Sequence, residues 1–263
     1  MSPRAEIAKL ARLLGEDPER FGYLADVPEA DLRRVRERAT DVLFGADRAV
    51  FERIAAASRL VPAALTAAIA QRSFGPTLCA RVAAVLEPDR ALDLAGRLST
   101  GFLADVAARL DPRRVGAVLT RLPPEMITEV ARELAGRGDH IAMGQFVDKL
   151  SAEALRVVVA TLDEENLLRG AVFSESQDRF PALFAQIADD RLPAVASAMA
   201  TADDEFAHEI LPLLACLDTA GMTRLAAAVG DLPGPPRARL AAVAAATGVL
   251  DRLGPLSAAL ADR

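Results

Sequence analysis

Tryptophan is absent from the 263 residues, tyrosine occurs once, and aromatic residues make up only 4%. A core built from this chain must be filled by small aliphatic side chains, which lets packed elements approach closely. Asparagine appears once, at Asn166, and lysine twice, at Lys9 and Lys149, so 29 of the 31 basic residues are arginine. Such an Ala- and Arg-heavy mix suggests a high-GC bacterial genome. Two cysteines, Cys79 and Cys216, are too few for a disulfide framework. Each lies in apolar surroundings and reads as a reduced, buried thiol, because a nucleophile needs a base and a positive setting.

Long apolar runs are also missing. The longest, 60–70 and 240–250, span about eleven residues, against the roughly 20 that cross a bilayer. The amino terminus lacks the continuous apolar stretch of a signal peptide. These features predict a cytoplasmic protein without membrane insertion. A net charge of −6 and a pI near 5.1 argue against a nucleic-acid partner, since phosphate binding needs a basic surface. With Tyr23 the only tyrosine, base stacking has little to use. No phosphate-binding Gly-rich loop and no nucleophile elbow is present.

What the chain does have is helical periodicity. Apolar residues recur at i, i+3, i+4 and i+7, as in Ile7, Leu10, Ala11 and Leu14, and again in Val50, Ile54, Ala57 and Val61. Alternating strand patterns are absent. The spacing predicts helices near 4–14, 17–25, 29–44, 47–58 and 61–73, punctuated by Pro18, Pro28, Gly45 and Pro76. Beyond residue 174 it predicts helices near 177–188, 192–200, 203–215, 219–229, 236–246 and 249–261.

The middle of the chain repeats. Leu86, Leu98, Leu110, Leu122 and Leu134 fall at a step of twelve, and Leu150 and Leu162 resume it. Ser99, Asp111, Ser151 and Asp163 follow four of these leucines and can cap the next helix. Pro88, Pro112 and Pro124 sit at first-turn positions. Each unit reads as a cap, an eight- or nine-residue amphipathic helix, a closing leucine and a turn. Helices this short are unstable alone and must stack. The closing leucines are expected to line the shared interior. The predicted fold is therefore all-α: a superhelical array of short helical hairpins, an armadillo- or HEAT-like α-solenoid. It reads as one continuous domain over 1–263, with a subdivision into an N-terminal bundle (1–80) and a short-helix superhelix (81–263).

Three segments, LEPDRALDLAGRLS (86–99), LDPRRVGAVLTRLPPEMITEVARELA (110–135) and LSAEALRVVVATLDEENL (150–167), resemble the intracellular N-terminal superhelical domain of MgtE-type magnesium transporters. The stacking is similar to the armadillo-like middle domains of the flagellar rotor protein FliG. The resemblance implies the fold and a regulatory or interaction surface, with magnesium as the cation such a module would answer to. It covers 86–167, and the residues after it do not resemble the nucleotide-binding module of that family, so it implies no ligand residues.

Chemical candidates are few. On a helix, Asp204, Glu205 and His208 share a face, and Glu-x-x-His is half of a di-iron pattern. The second half is missing, since Arg137 stands three residues before His140, the other histidine. A single Mg²⁺ or Zn²⁺ site on Asp204, Glu205 and His208 is the metal reading; Asp203 as a helix cap, with Asp204 and Glu205 complementing the dipole, is the competing one. Asp139 beside His140 reads as a cap or as an acid–base pair without a nucleophile. Asp163, Glu164 and Glu165 read as first-turn dipole complements. Arg33, Arg34, Arg36 and Arg38 read as ion-paired, solvated surface. Residues 1–140 carry a charge of +1 and 141–263 carry −7.

Three functions follow: a non-enzymatic interaction or regulatory protein presenting a solenoid face to a protein partner; a divalent-cation-responsive module; or an enzyme or small-ligand binder with a pocket between the N-terminal helices and the repeats. The first leads. Self-association is open, because a layer of hairpins with uncapped ends can pair with itself.

Overall fold

The computed structural model describes residues 2–261. Among them lie seventeen α-helices and no strand. The chain divides into two compact units, Pro3–Val158 and the remainder from Val159 on, with Ser2 belonging to the second.

The first unit opens with α1 (Pro3–Leu14), a 3₁₀ turn at Pro18–Leu24, and α2 (Glu29–Ser58). Then come α3 (Ala63–Ile69), α4 (Gly75–Ala83), α5 (Pro88–Ala95), α6 (Thr100–Ala107), α7 (Gly116–Leu119), α8 (Pro124–Gly136), α9 (His140–Val147) and α10 (Ala152–Thr161), which runs past the division. From α2 to α8 the packing skips a neighbour. Helix α2 packs on α4, α4 on α6 and α6 on α8, while α3 packs on α5 and α5 on α7. Two rows of helices stacked this way are the helical-repeat arrangement that the short amphipathic units call for.

The second unit holds α11 (Glu164–Val172), α12 (Phe180–Phe184), α13 (Leu192–Thr201), α14 (Asp204–Leu214), α15 (Thr219–Gly230), α16 (Gly234–Ala246) and α17 (Pro255–Ala261). It stacks by the same rule: α11 on α13, α13 on α15, α15 on α17, and α14 on α16. Its interior is aliphatic, with Ile210, Leu211, Leu214, Leu225, Leu240, Leu253 and Leu256 fully buried.

All four capping residues expected in the repeats act as caps. Ser99 accepts from Phe102 N at 3.4 Å, Asp111 from Arg113 N at 3.1 Å, Ser151 from Ala154 N at 3.2 Å and Asp163 from Asn166 N at 2.9 Å. The leucines behave differently from expectation. Six of them sit immediately ahead of the next N-cap position, but Leu134 lies inside α8. Only Leu134 and Leu162 are buried. The turns lie at the edge of each row, so the interior is filled instead by residues on the helix faces, such as Ala104, Leu119 and Ala142.

Two helix boundaries also move. Gly45 does not divide α2, which runs uninterrupted for 30 residues. A helical glycine costs about 1 kcal/mol relative to alanine, and the buried Phe44 and Phe51, whose ring centroids lie 5.6 Å apart, hold both sides of it. The expected helix at 61–73 becomes α3 followed by a π-helical turn at Ala70–Phe74.

Arginine closes the stack. A helix ends with four unmatched carbonyls, and here arginines from a sequence-distant helix or turn reach them. Arg90 donates to Ser58 O and, at 2.8 Å, to Val61 O, with the Thr66 hydroxyl at 3.2 Å. Arg191 donates to Val159 O at 2.5 Å and Leu162 O at 2.6 Å, and pairs with Glu164 in the first turn of α11 at 2.6 Å. Arg224 spans Ile187 O and Asp189, and Arg239 spans Ala200 O and Asp204. One fork thus joins the end of one helix to the start of the next.

Gly75 ends the π-helical turn at φ 73° and ψ 168°, a region essentially restricted to glycine. A Cβ there would touch nothing within 4 Å. Gly75→Ala is expected to lower stability by roughly 1–3 kcal/mol through backbone strain alone, read from urea unfolding; an unchanged midpoint would refute the strain.

Candidate functional site

The largest fully buried side chains of the first unit are charged. Glu6, in the first turn of α1, is 0% exposed and Lys9 is 1%. The Glu6 carboxylate accepts from Lys9 Nζ at 3.1 Å and from Arg36 Nε of α2 at 2.9 Å, with Arg33 Nε at 3.7 Å. Arg33 also bonds Glu29. The segment read as solvated surface is therefore split: Arg34 and Arg38 are exposed, whereas Arg36 is buried. The sequence does carry a signal for this. The buried line of α2 runs Leu32, Arg36, Thr40, Phe44 in steps of four, and two polar residues occupy apolar-spaced positions on it. Breaking a buried pair by neutralising one partner costs about 3–5 kcal/mol. Glu6→Gln is expected to show that loss in urea unfolding, while Arg34→Gln, whose partner Asp31 is exposed, changes stability by less than about 1 kcal/mol.

Asp139 caps α9 by accepting from Ala142 N at 3.1 Å. Its carboxylate is also gripped by both terminal nitrogens of Arg12, which donates to Ala108 O at 2.8 Å. The carboxylate is thus committed to Arg12 and the helix end, not to general-base work. Burial pushes its pKa up, but the hydrogen bonds and charge of Arg12 outweigh that and hold it below the ordinary carboxylate value. A depressed folded value stabilises the fold above the unfolded value, near pH 4. That contribution disappears as pH falls through the folded value. Wild type is expected to exceed Asp139→Asn in stability by a constant margin above about pH 5, and the margin closes in more acidic solution. A margin independent of pH down to about 2 would contradict this.

The acidic segment of α14 is dispersed over separate partners. Asp203 caps the helix through Phe206 N at 2.7 Å; this hydrogen bond and its pairing with Arg169 keep its pKa low. Asp204 pairs with Arg239 at 2.5 Å, and His208 Nδ1 lies 2.6 Å from the backbone oxygen of Asp204. Glu209 bonds Ser2. Arg239 thus occupies the Asp204 carboxylate. No group of three His, Cys, Asp or Glu able to hold a metal ion occurs among the described residues. Glu164 and Glu165 are likewise paired, with Arg191 and Arg169.

Both thiols are half-buried and unbridged. Burial raises the Cys79 pKa, away from the reactive thiolate. Cys216 borders a cleft of about 210 Å³ in the second unit, together with Val172, Gln177, Glu209 and Arg252. Ligand pockets generally run from about 300 to 1,000 Å³.

One surface stands out. Every exposed large apolar side chain among the described residues falls between Leu14 and Phe74. On α2, Val35 (59% exposed), Val42 (56%), Leu43 and Val50 follow one another at helical spacing, opposite the buried Phe44, Phe51 and Ala55. Leu60, Leu65 and Ile69 extend the apolar exposure into α3 and the turn before it. No helix is long and apolar enough to cross a membrane among the described residues. Comparison with family models, with curated proteins and with solved structures finds no match.

Proposed function

We propose that this chain is a non-enzymatic, cytoplasmic interaction protein whose α2–α3 face docks a protein partner. The exposed valine and leucine band on α2 carries the reading. Isolated apolar residues on a surface need no explanation, but a contiguous band along one helix marks a contact. The band lies on the side of α2 away from the buried Phe44, Phe51 and Ala55, so it answers no demand of the fold itself. The likeness of residues 86–167 to transporter N domains adds that the contact is regulatory.

A benzophenone amino acid placed at Val42 tests this in cells, with the same probe at the exposed Ala227 of α15 as control. Irradiation is expected to give a discrete protein adduct from position 42, lost when Val35→Asp is added, and none from position 227. Absence of any protein adduct at position 42 would overturn the reading.

A further inference from the structure

The exposed face of α2 is its own complement, and we infer that the partner seated on it is the α2 helix of a second copy of this chain, lying antiparallel. This rests on the docking reading above and names the occupant.

The face has a seven-residue repeat: Val35, Val42 and Ala49 on one line, Ala39 and Ala46 on the next, with Arg53 following them. A twofold axis that sets residue i of one helix against residue 88 − i of the other places the two lines together. Val42 then meets Ala46 of the second copy, Ala39 meets Ala49, and Val35 meets the aliphatic stem of Arg53. Gly45 falls beside the axis, and a Cβ built there would touch nothing within 4 Å. The small side chains at 39, 45, 46 and 49 let two backbones come close, and on the flank away from Gly45, where facing residues add to 86, Leu43 meets its own mate.

Charge selects this register. On the flank carrying Gly45, where facing residues add to 90 when the core layers add to 88, Arg38 lies opposite Glu52 and Asp31 opposite Arg59, each twice by symmetry. Arg38 is exposed and makes no ion pair among the described residues. Glu52, Asp31 and Arg59 hold only exposed pairs within the chain, with Arg48, Arg34 and Glu87. Such pairs contribute little and exchange readily. A parallel arrangement would set Arg38 against Leu43 and Glu52 against Ala57 of the second copy and lose both charge pairs.

Sedimentation equilibrium of the full chain at micromolar concentrations tests the inference. The expected mass is twice the 27.8 kDa of the chain. Arg38→Glu and Glu52→Arg, each alone, place two like-charge contacts in the interface and are expected to weaken the dimer at least about tenfold. The double reversal is expected to restore it to within a few-fold. Val42→Asp is expected to give monomer with unchanged far-ultraviolet circular dichroism and melting temperature, since Val42 lies outside the core. A wild-type chain that stays monomeric, or a dimer indifferent to Val42→Asp, overturns the self-pairing. Single reversals that the double does not rescue overturn it as well, because the register is then wrong. If the benzophenone adduct at position 42 is a different protein and the chain is monomeric, docking stands and self-pairing falls; with no adduct, both fall.

Discussion

Most of this chain is cut into helices of roughly two to four turns, and the carbonyls left over at each helix end are the problem its sequence has to solve. A helix of eight residues has as many unmatched carbonyls as one of thirty, so the burden per residue is heaviest in the shortest elements. Arginine carries it. The guanidinium offers five donors in a planar fork, enough to hold two carbonyls and a carboxylate at once, as Arg191 does with Val159, Leu162 and Glu164. Lysine has a compact charge and no fork. The near-exclusive use of arginine, which looked like a genomic bias, is thus used structurally, whatever its origin.

The same interaction explains where the acidic residues went. Glu164, Asp189 and Asp204 stand near the starts of helices or turns, where the helix dipole favours them. Each is drawn into a fork that also holds the end of an earlier segment. A carboxylate occupied in this way is a poor ligand for a cation. On α14, Asp204 serves the joint between helices through Arg239.

The two units reach stability by different means. From Val159 on, leucine and isoleucine fill the interior. In Pro3–Val158 the comparable fully buried side chains are Glu6 and Lys9, beside the buried Ile7, Leu10, Ala11 and Leu32, with further apolar clusters on Phe44, Phe51 and Val82 and on Ala104, Leu134 and Ala142. A buried ion cluster confers less than an apolar core of equal volume but punishes misplacement severely. It fixes α1 against α2 in one register, and that register decides which side of α2 faces outward.

How far this was readable follows from what each signal depends on. Caps such as Ser99 and Asp163 act within three residues, so the sequence displays them directly. The seven leucines at a step of twelve residues reported the turns well and the interior poorly, since a period says where a residue recurs and not which way it points. Gly45 looked like a break because propensity is local, while the phenylalanine anchors on either side of it act through tertiary packing. Arg36 was the hardest. Its burial depends on Glu6, thirty positions away, and only its place on the Leu32–Thr40–Phe44 line betrays it. The opposite line of α2, through Val35 and Val42, was not singled out in the sequence. What coordinates add is that none of the described helices lies over it: α1 and α4 occupy other sides of a helix roughly 45 Å long, and the side left over repeats every seven residues. A stack of helices ends safely when its outermost face is polar. This one is apolar, small-sided and flanked by charges in a mirrored order, which is what a surface needs in order to be covered by a copy of itself.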